Sequence, residues 1–348
     1  MSVDSIAYAE LYVQDHAETV AYFTSAMDFT PTAAAFAEPG RAARTSTLLT
    51  SGSARLVITS PSHPADHVAA HLARHGEGVA DIAFGCADVT ATHRRAVAAG
   101  ATSLFPPSRS GGFARVGGFG CVRHTLVASA AGAMPPGVWT ALPSDGERGR
   151  VRALDHVAVC LDAGTIQATA DFYDRAFGLE RFFSEYIEVG DQAMESVVVR
   201  DPAGAVTFTL LQPDTSRAAG QIDAFLTANG GPGVQHLAFL VDDVVAAVRS
   251  FTGRGTDFLT TPDPYYDRIA EQKAAPGALI EDLRSTHVLI DQDEWGHLLQ
   301  IFTRSPHRDG GLFYELIQRE QARGFGGGNI RALYEAVLRA QPALAESR

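Results

Sequence analysis

Leu154-Asp-His-Val-Ala-Val-Cys-Leu161, running on into Thr169-Ala-Asp-Phe-Tyr-Asp-Arg-Ala-Phe-Gly-Leu179, reads as a strand followed by an amphipathic helix. The chain states the same unit near its start, where Ile6-Ala-Tyr-Ala-Glu-Leu-Tyr-Val13 leads into Thr19-Val-Ala-Tyr-Phe-Thr-Ser-Ala-Met-Asp-Phe29. A second pair repeats in step: Gly78-Val-Ala-Asp-Ile-Ala-Phe84 with Asp88 matches Gly233-Val-Gln-His-Leu-Ala-Phe239 with Asp242. Each then runs through a helix and a Gly-containing turn to a proline, Pro106 in one half and Pro262 in the other. Each half is thus two strand-helix-strands modules, the outcome of two successive duplications, and the expected class is α+β. Pro135, Pro136, Pro143 and Gly146 break both periodicities before Arg152. Residues 1–140 and 152–348 are therefore expected as two domains, in line with a length of 348 residues.

Composition narrows the partners. The net charge is −12 and no Lys/Arg block stands against it, which argues against nucleic acid or an anionic membrane surface. No stretch approaches the roughly 18 apolar residues of a spanning helix, and the N-terminus lacks a basic segment followed by an apolar run. A soluble, cytoplasmic protein with a small-molecule partner is expected; a homo-oligomer is compatible with the sequence. Cys86, Cys121 and Cys160 are far apart with no C-x-x-C pair, so they read as buried small hydrophobes rather than a disulfide framework or zinc ribbon.

In Gly311-Leu-Phe-Tyr-Glu-Leu-Ile-Gln318 one carboxylate, Glu315, interrupts a run that otherwise wants to be a buried strand. A buried carboxylate must be paired, protonated or metal-bound. On a strand of period two it shares a face with Phe313 and Ile317, so its partner must come from elsewhere. Comparison of the halves supplies two candidates. His156 stands where the first half has Tyr8, and His236 where it has Asp81, so the scaffold is repeated but the histidines are not. Each imidazole is followed on its own face by alanine, Ala158 or Ala238, and the three candidates are 80 and 79 residues apart. A single strand histidine is usually a satisfied core residue; two at equivalent positions beside an unpaired carboxylate suggest the 2-His-1-carboxylate set of non-haem Fe(II). Zinc takes the same ligands in hydrolytic sites, so ligand type leaves both open and leans to iron. His63, His67, His71 and His75 recur at four-residue spacing, but Pro61, Pro64 and polar neighbours favour an exposed helix there over a metal stripe.

His297-Leu-Leu-Gln-Ile-Phe-Thr303, Phe313-Tyr-Glu-Leu-Ile-Gln-Arg319 and Gly324-Phe-Gly-Gly-Gly-Asn-Ile-Arg-Ala-Leu-Tyr-Glu-Ala336 resemble the C-terminal signature of the 4-hydroxyphenylpyruvate dioxygenase and 4-hydroxymandelate synthase family, and the two histidine strands are similar to that family's. The resemblance is strong over about residues 152 to 340. It implies a vicinal-oxygen-chelate fold, like glyoxalases and extradiol dioxygenases: paired βαβββ modules forming two open barrels, the first without metal ligands and the second catalytic, with a C-terminal helix over it. It also implies Fe(II) on His156, His236 and Glu315, an aromatic α-keto acid substrate and O2 as co-substrate.

Departures from the dioxygenase pattern point to the synthase branch. Dioxygenases typically show Pro and Asn where this chain has Thr209 and Leu211, and Phe where it has Ile330. The substitutions exchange an amide for an apolar group, add a hydroxyl, and shrink one aromatic wall. The resemblance and side-chain direction assign Ser196 and Thr209 as hydroxyl contacts to substrate, Gln300 as a phenol partner, Gln221 as a network member or turn residue, and Phe302 and Phe325 as apolar walls. A last helix, Asn329 to Arg339, is expected with Asn329 as N-cap and a glycine-rich lead-in, covering the barrel as a lid or as a fixed helix. The dioxygenase reaction yielding homogentisate is the runner-up; a metal-free binding protein of the same fold and a glyoxalase-like zinc enzyme are the other classes.

Overall fold

The computed structural model describes residues 3–35, 44–108, 112–129, 134–143, 149–271, 277–308, 311–329 and 331–332. The first half forms one sheet from β1 (Ser5–Tyr12), β2 (Thr30–Ala35), β3 (Arg44–Ser51), β4 (Ala54–Pro61), β5 (Gly78–Cys86), β6 (Ser103–Phe105), β7 (Phe113–Gly117), β8 (Arg123–Ala128) and the short β9 (Thr140–Ala141). The second half forms another from β10 (Val151–Cys160), β11 (Glu180–Val189), β12 (Gln192–Arg200), β13 (Thr207–Pro213), β14 (Gly233–Val241), β15 (Leu289–Gln292), β16 (His297–Phe302) and β17 (Phe313–Glu320). The helices include α1 (His16–Ala21), continued by a π-helical segment at Tyr22–Ala26, α2 (His67–His75), α3 (Val89–Ala98), α4 (Ile166–Phe177), α5 (Gln221–Asn229), α6 (Val244–Thr252), α7 (Asp263–Glu271) and α8 (Gly277–Thr286), and residues 327–329 and 331–332 are also helical.

Strand order makes the repeat explicit. Setting β9 aside, one sheet reads β2-β3-β4-β1-β5-β8-β7-β6 and the other β11-β12-β13-β10-β14-β17-β16-β15. In both, the module-opening strands pair antiparallel at the centre, β1 with β5 and β10 with β14, and each pairs parallel with the last strand of its own module. Parallel neighbours need a crossover connection, which the module helix begins.

The strands alternate between two apolar faces. One face, with Val157, Val159, Phe208 and Leu237, packs under the helices and belongs to a core shared by both halves. α4 shows why its sequence folds there: Ile166, Ala170, Tyr173, Ala176 and Phe177 make one buried stripe. It stops at Gly178, whose φ of +72° is left-handed and suits a residue without Cβ. The other face of the second sheet carries Cys160, Met194, Leu211 and, from α5, Ile222 and Phe225; this face holds the site.

Polar contacts pin the halves together. His307 Nδ1 meets Glu77 Oε2 at 2.9 Å and its Nε2 meets the Tyr314 hydroxyl at 2.7 Å, directly behind Glu315 in β17. At the far joint, His124 is fully enclosed: its Nδ1 donates to the Ile82 carbonyl (3.0 Å), and its Nε2 accepts from the Tyr173 hydroxyl (2.7 Å) of α4. Both ring nitrogens are satisfied with the ring neutral, and burial lowers its pKa from 6.5 to about 4. Below pH 6.5 the unfolded chain binds a proton here that the folded chain refuses, so this group costs stability as pH falls. Urea denaturation at stepped pH should show wild type losing about 1.4 kcal/mol per pH unit more than His124→Gln between about pH 6.5 and 4; equal slopes would mean the ring charges freely in the fold.

Candidate metal centre

Cross-strand register decides which side chains meet. In the β10–β14 pair His156 lies opposite Ala238, and Ala158 opposite His236. Each imidazole therefore faces a methyl group, which leaves room for both rings to lean toward β17. There Ala238 is paired with Glu315 and His236 with Phe313. On the other side Ala158 is paired with Thr209, Thr209 with Val198, and Leu211 with Ser196. Phe302 is opposite Glu315. Residues opposite one another share a face, so one continuous face holds the predicted ligands together with Ser196, Thr209, Leu211 and Phe302.

The three candidate ligands converge at its centre. Glu315 is fully buried, and its Oε2 lies 3.4 Å from His156 Nε2 and 3.3 Å from His236 Nε2. The two rings are 5.6 Å apart and nearly perpendicular. Oε2 has no hydrogen-bond partner among the described residues. An orphaned buried carboxylate oxygen between two imidazole nitrogens fits a cation bound by all three, since an unpaired ionised carboxylate is otherwise costly to bury. Electrostatics agree. Burial opposes ionisation of Glu315, but His156 and His236 outweigh it and hold the carboxyl at about 2. Burial also opposes charging His156, yet Glu315 and Asp155 raise it to about 9, while burial keeps His236 below its ordinary value. The opposed shifts favour a shared positive charge beside the Glu315 carboxylate, the place a bound metal would take.

A second layer fixes these groups. His156 Nδ1 donates to Asp155 Oδ1 (2.9 Å), and Asp155 receives two bonds from Arg319, both 2.8 Å. The bidentate guanidinium holds Asp155 anionic despite burial, which orients the ring and leaves Nε2 for the metal. Glu315 Oε1 accepts from the Gln300 amide (2.8 Å), whose own oxygen accepts from Asn329 (2.7 Å). Asn329 in turn accepts from Tyr265 (3.4 Å). Gly326, at φ +68°, passes so close that a Cβ would sit 2.2 Å from the Gln300 oxygen, so glycine is required there. Phe325 stands edge-on to His156 at 5.5 Å, Phe302 edge-on to His236 at 5.9 Å, and Phe313 stacks on His236 at 4.9 Å.

The placements refine the expectations residue by residue. Ser196, Thr209 and Leu211 are buried on the metal face, and the Thr209 hydroxyl has no partner among the described residues. Gln300 reaches the metal cluster, where its amide nitrogen donates to Glu315 and its oxygen accepts from Asn329, which leaves one N–H and one lone pair for a further partner. Gln221 opens α5, half-buried, beside Met194 and Ile222. Asn329 is no N-cap: the helix already begins at 327, and its side chain is spent on Gln300. Ile330 and most of the expected last helix lie outside the described residues. Sequence reasoning misses the roles of Asp155 and Arg319, although Asp155 adjoins a candidate ligand and Arg319 shares the period-two face of Glu315.

The first half shows what the scaffold does without the triad. Glu10 is paired with Asp81 as Ala158 is with His236. There Asp81 is bound by Arg123 Nε (2.9 Å) and by Thr125, and Glu10 by the same guanidinium (2.8 Å). Arg123 is shared by the two carboxylates and Arg115 adds a longer ion pair to Asp81 (3.5 Å), while burial still raises the Asp81 carboxyl above its ordinary value. One expectation fails in this half: Cys121 is half-buried, near His71 and His75, rather than a buried small hydrophobe.

Residues 5–119 and 153–301 match the profile of the Glyoxalase/Bleomycin resistance protein/Dioxygenase superfamily. The chain is 33% identical over 300 residues to a 4-hydroxyphenylpyruvate dioxygenase of Pyricularia oryzae, covering 78% of this chain and 70% of that one. It is 29% identical to the same enzyme of Yarrowia lipolytica, covering 95% and 90%. A solved structure of a triple mutant of 4-hydroxymandelate synthase from Streptomyces coelicolor superposes with a TM-score of 0.92 at 51% identity, covering 98% of this chain and all of that one. The chain belongs to the Glyoxalase/Bleomycin resistance protein/Dioxygenase superfamily, and within it to the enzymes of the 4-hydroxyphenylpyruvate dioxygenase and 4-hydroxymandelate synthase family.

Glu315→Gln removes the anion but keeps the shape and one acceptor. Far-UV circular dichroism should be unchanged, while iron retained after desalting should fall at least tenfold. Loss of the folded spectrum would make Glu315 a structural residue instead.

Proposed function

We propose that the chain is an Fe(II)-dependent oxygenase that converts 4-hydroxyphenylpyruvate and O2 into 4-hydroxymandelate and CO2. The observation that carries this reading is the full-length likeness, at 51% identity, to a solved 4-hydroxymandelate synthase. The buried triad supports the metal: two imidazoles and one carboxylate leave three positions on six-coordinate Fe(II), enough for a chelating α-keto acid and O2. Bound iron supplies the redox chemistry that couples decarboxylation to oxygen insertion.

The protein's own groups hold and shield the substrate. Arg319 and Asp155 keep His156 in its ligating tautomer, and Gln300 keeps Glu315 turned toward the histidines. Thr209 offers an unpaired hydroxyl on the metal face, ready to accept or donate to substrate. Leu211, Met194, Ile187, Ile222 and Phe225 form an apolar bed beside it that keeps water away, and Phe302 and Phe325 flank the two histidines. An apolar Leu211 in place of the dioxygenase amide withholds a hydrogen bond from the substrate, which favours attack at the benzylic carbon over attack on the ring.

The second reading, homogentisate formation, is favoured by the dioxygenases among the relatives. Both reactions consume the same keto acid and O2 and release CO2, and the two products are isomers. Gas exchange cannot separate them, so product identity must. Incubated with Fe(II), reductant, O2 and 4-hydroxyphenylpyruvate, the protein should give 4-hydroxymandelate by chromatography against both standards. The double variant Thr209→Pro, Leu211→Asn should raise the homogentisate fraction. Homogentisate as the main wild-type product would overturn the proposal, and an unchanged ratio in an active double variant would remove Thr209 and Leu211 from the product choice.

A further inference from the structure

A second group of metal-type donors lies at the joint between the halves, on residues the reaction does not use. His71 and His75 are four apart in α2, so their rings share one helical face, with centroids 4.8 Å apart. The turn between β7 and β8 brings Cys121 to the same point, and one donor atom from each of the three lies within 4.8 Å of the others. His63, by contrast, precedes the helix and accepts from the Ala65 N–H. Only part of the four-residue stripe therefore converges, and it does so on a thiol that sequence spacing did not connect to it.

Three further observations point to an ion. His75 Nδ1 lies 2.7 Å from the Asn229 carbonyl. A carbonyl only accepts, so Nδ1 carries the proton and Nε2 is left as a lone-pair donor, the outer hydrogen bond typical of a ligating histidine. A cavity of about 20 Å³ opens against His71, His75, Glu77 and Cys121, room for one water-sized occupant. Glu77 lines that cavity as an anion, fixed by the Gln14 N–H (2.8 Å) and His307 (2.9 Å). Arg123, which faces the cluster, is already paired with Glu10 and Asp81.

We propose that His71, His75 and Cys121 form a second metal site, for a borderline-soft divalent ion such as Zn(II), with its fourth position open to the cavity. Two imidazoles and one thiolate suit tetrahedral zinc, whereas the sulfur-free triad around Glu315 suits iron. The donors all come from the first half, while the carbonyl that orients His75 comes from the end of α5, four residues before β14 begins with Gly233. A metal here would tie the first half to the strand that carries His236.

Cobalt(II) separates the two sites, because only a thiolate ligand gives an intense sulfur-to-cobalt absorption in the near ultraviolet. Metal-free full-length protein titrated with Co(II) should show that band, and zinc-saturated protein should hold two ions per chain after desalting. Cys121→Ser should lose the band and one zinc. Glu315→Gln should keep the band while losing the other zinc. Among the described residues His71 has ring contacts with Tyr12 and His75 and no side-chain hydrogen bond, so His71→Gln is a second variant with little structural cost, and it should weaken Co(II) binding at the sulfur site at least tenfold. A wild-type chain that saturates at one ion without the sulfur band, or a band that survives in Cys121→Ser, would overturn the proposal.

Discussion

A buried carboxylate held between two imidazoles organises the second half. Glu315 is fully buried, and among the described residues its Oε2 has polar neighbours in two imidazole nitrogens alone, at 3.3 and 3.4 Å. Burying an ion without compensation costs several kcal/mol, so the strands that bring His156 and His236 to it are constrained in register as well as in topology. A shift of one residue in β10 or β14 would turn an imidazole to the helix side and leave the anion alone. Alanine opposite each histidine gives the rings space, and outer bonds from Asp155, Arg319, Gln300 and Asn329 keep the donor atoms aimed.

The first half shows the alternative solution on the same scaffold. Its central strands carry Glu10 and Asp81, which share the Arg123 guanidinium, with Arg115 also facing Asp81. A fixed cation satisfies the carboxylates but leaves no open coordination position, so that half can support the joint without competing for the substrate. Duplication thus kept the register and replaced the charge at its centre.

Repetition made the fold legible. Four similar strand-helix openings, spaced in step, imply four modules, and the strand orders of the two sheets agree when one is read backwards. The ligands were legible for a related reason: His156 and His236 break a pattern that the sister half preserves, and Glu315 breaks an apolar strand. What surrounds them was harder to see. The bond from Gln300 to Glu315 is not visible in the sequence, and Asn329 resembles a cap until its amide is found on Gln300. Arg319 and Asp155 meet across 164 residues, a pairing no periodicity reports. Cys121 joins His71 and His75 only because a turn in another strand pair folds over α2.

The central claim is that the triad binds iron and leaves room for a chelating keto acid. Anaerobic addition of 4-hydroxyphenylpyruvate to the Fe(II)-loaded protein tests it by visible absorption. A keto-acid-to-iron charge-transfer band that saturates at one substrate per iron, and that is absent in Glu315→Gln, is the predicted result. Iron-loaded wild-type protein that binds the substrate without developing the band would contradict it.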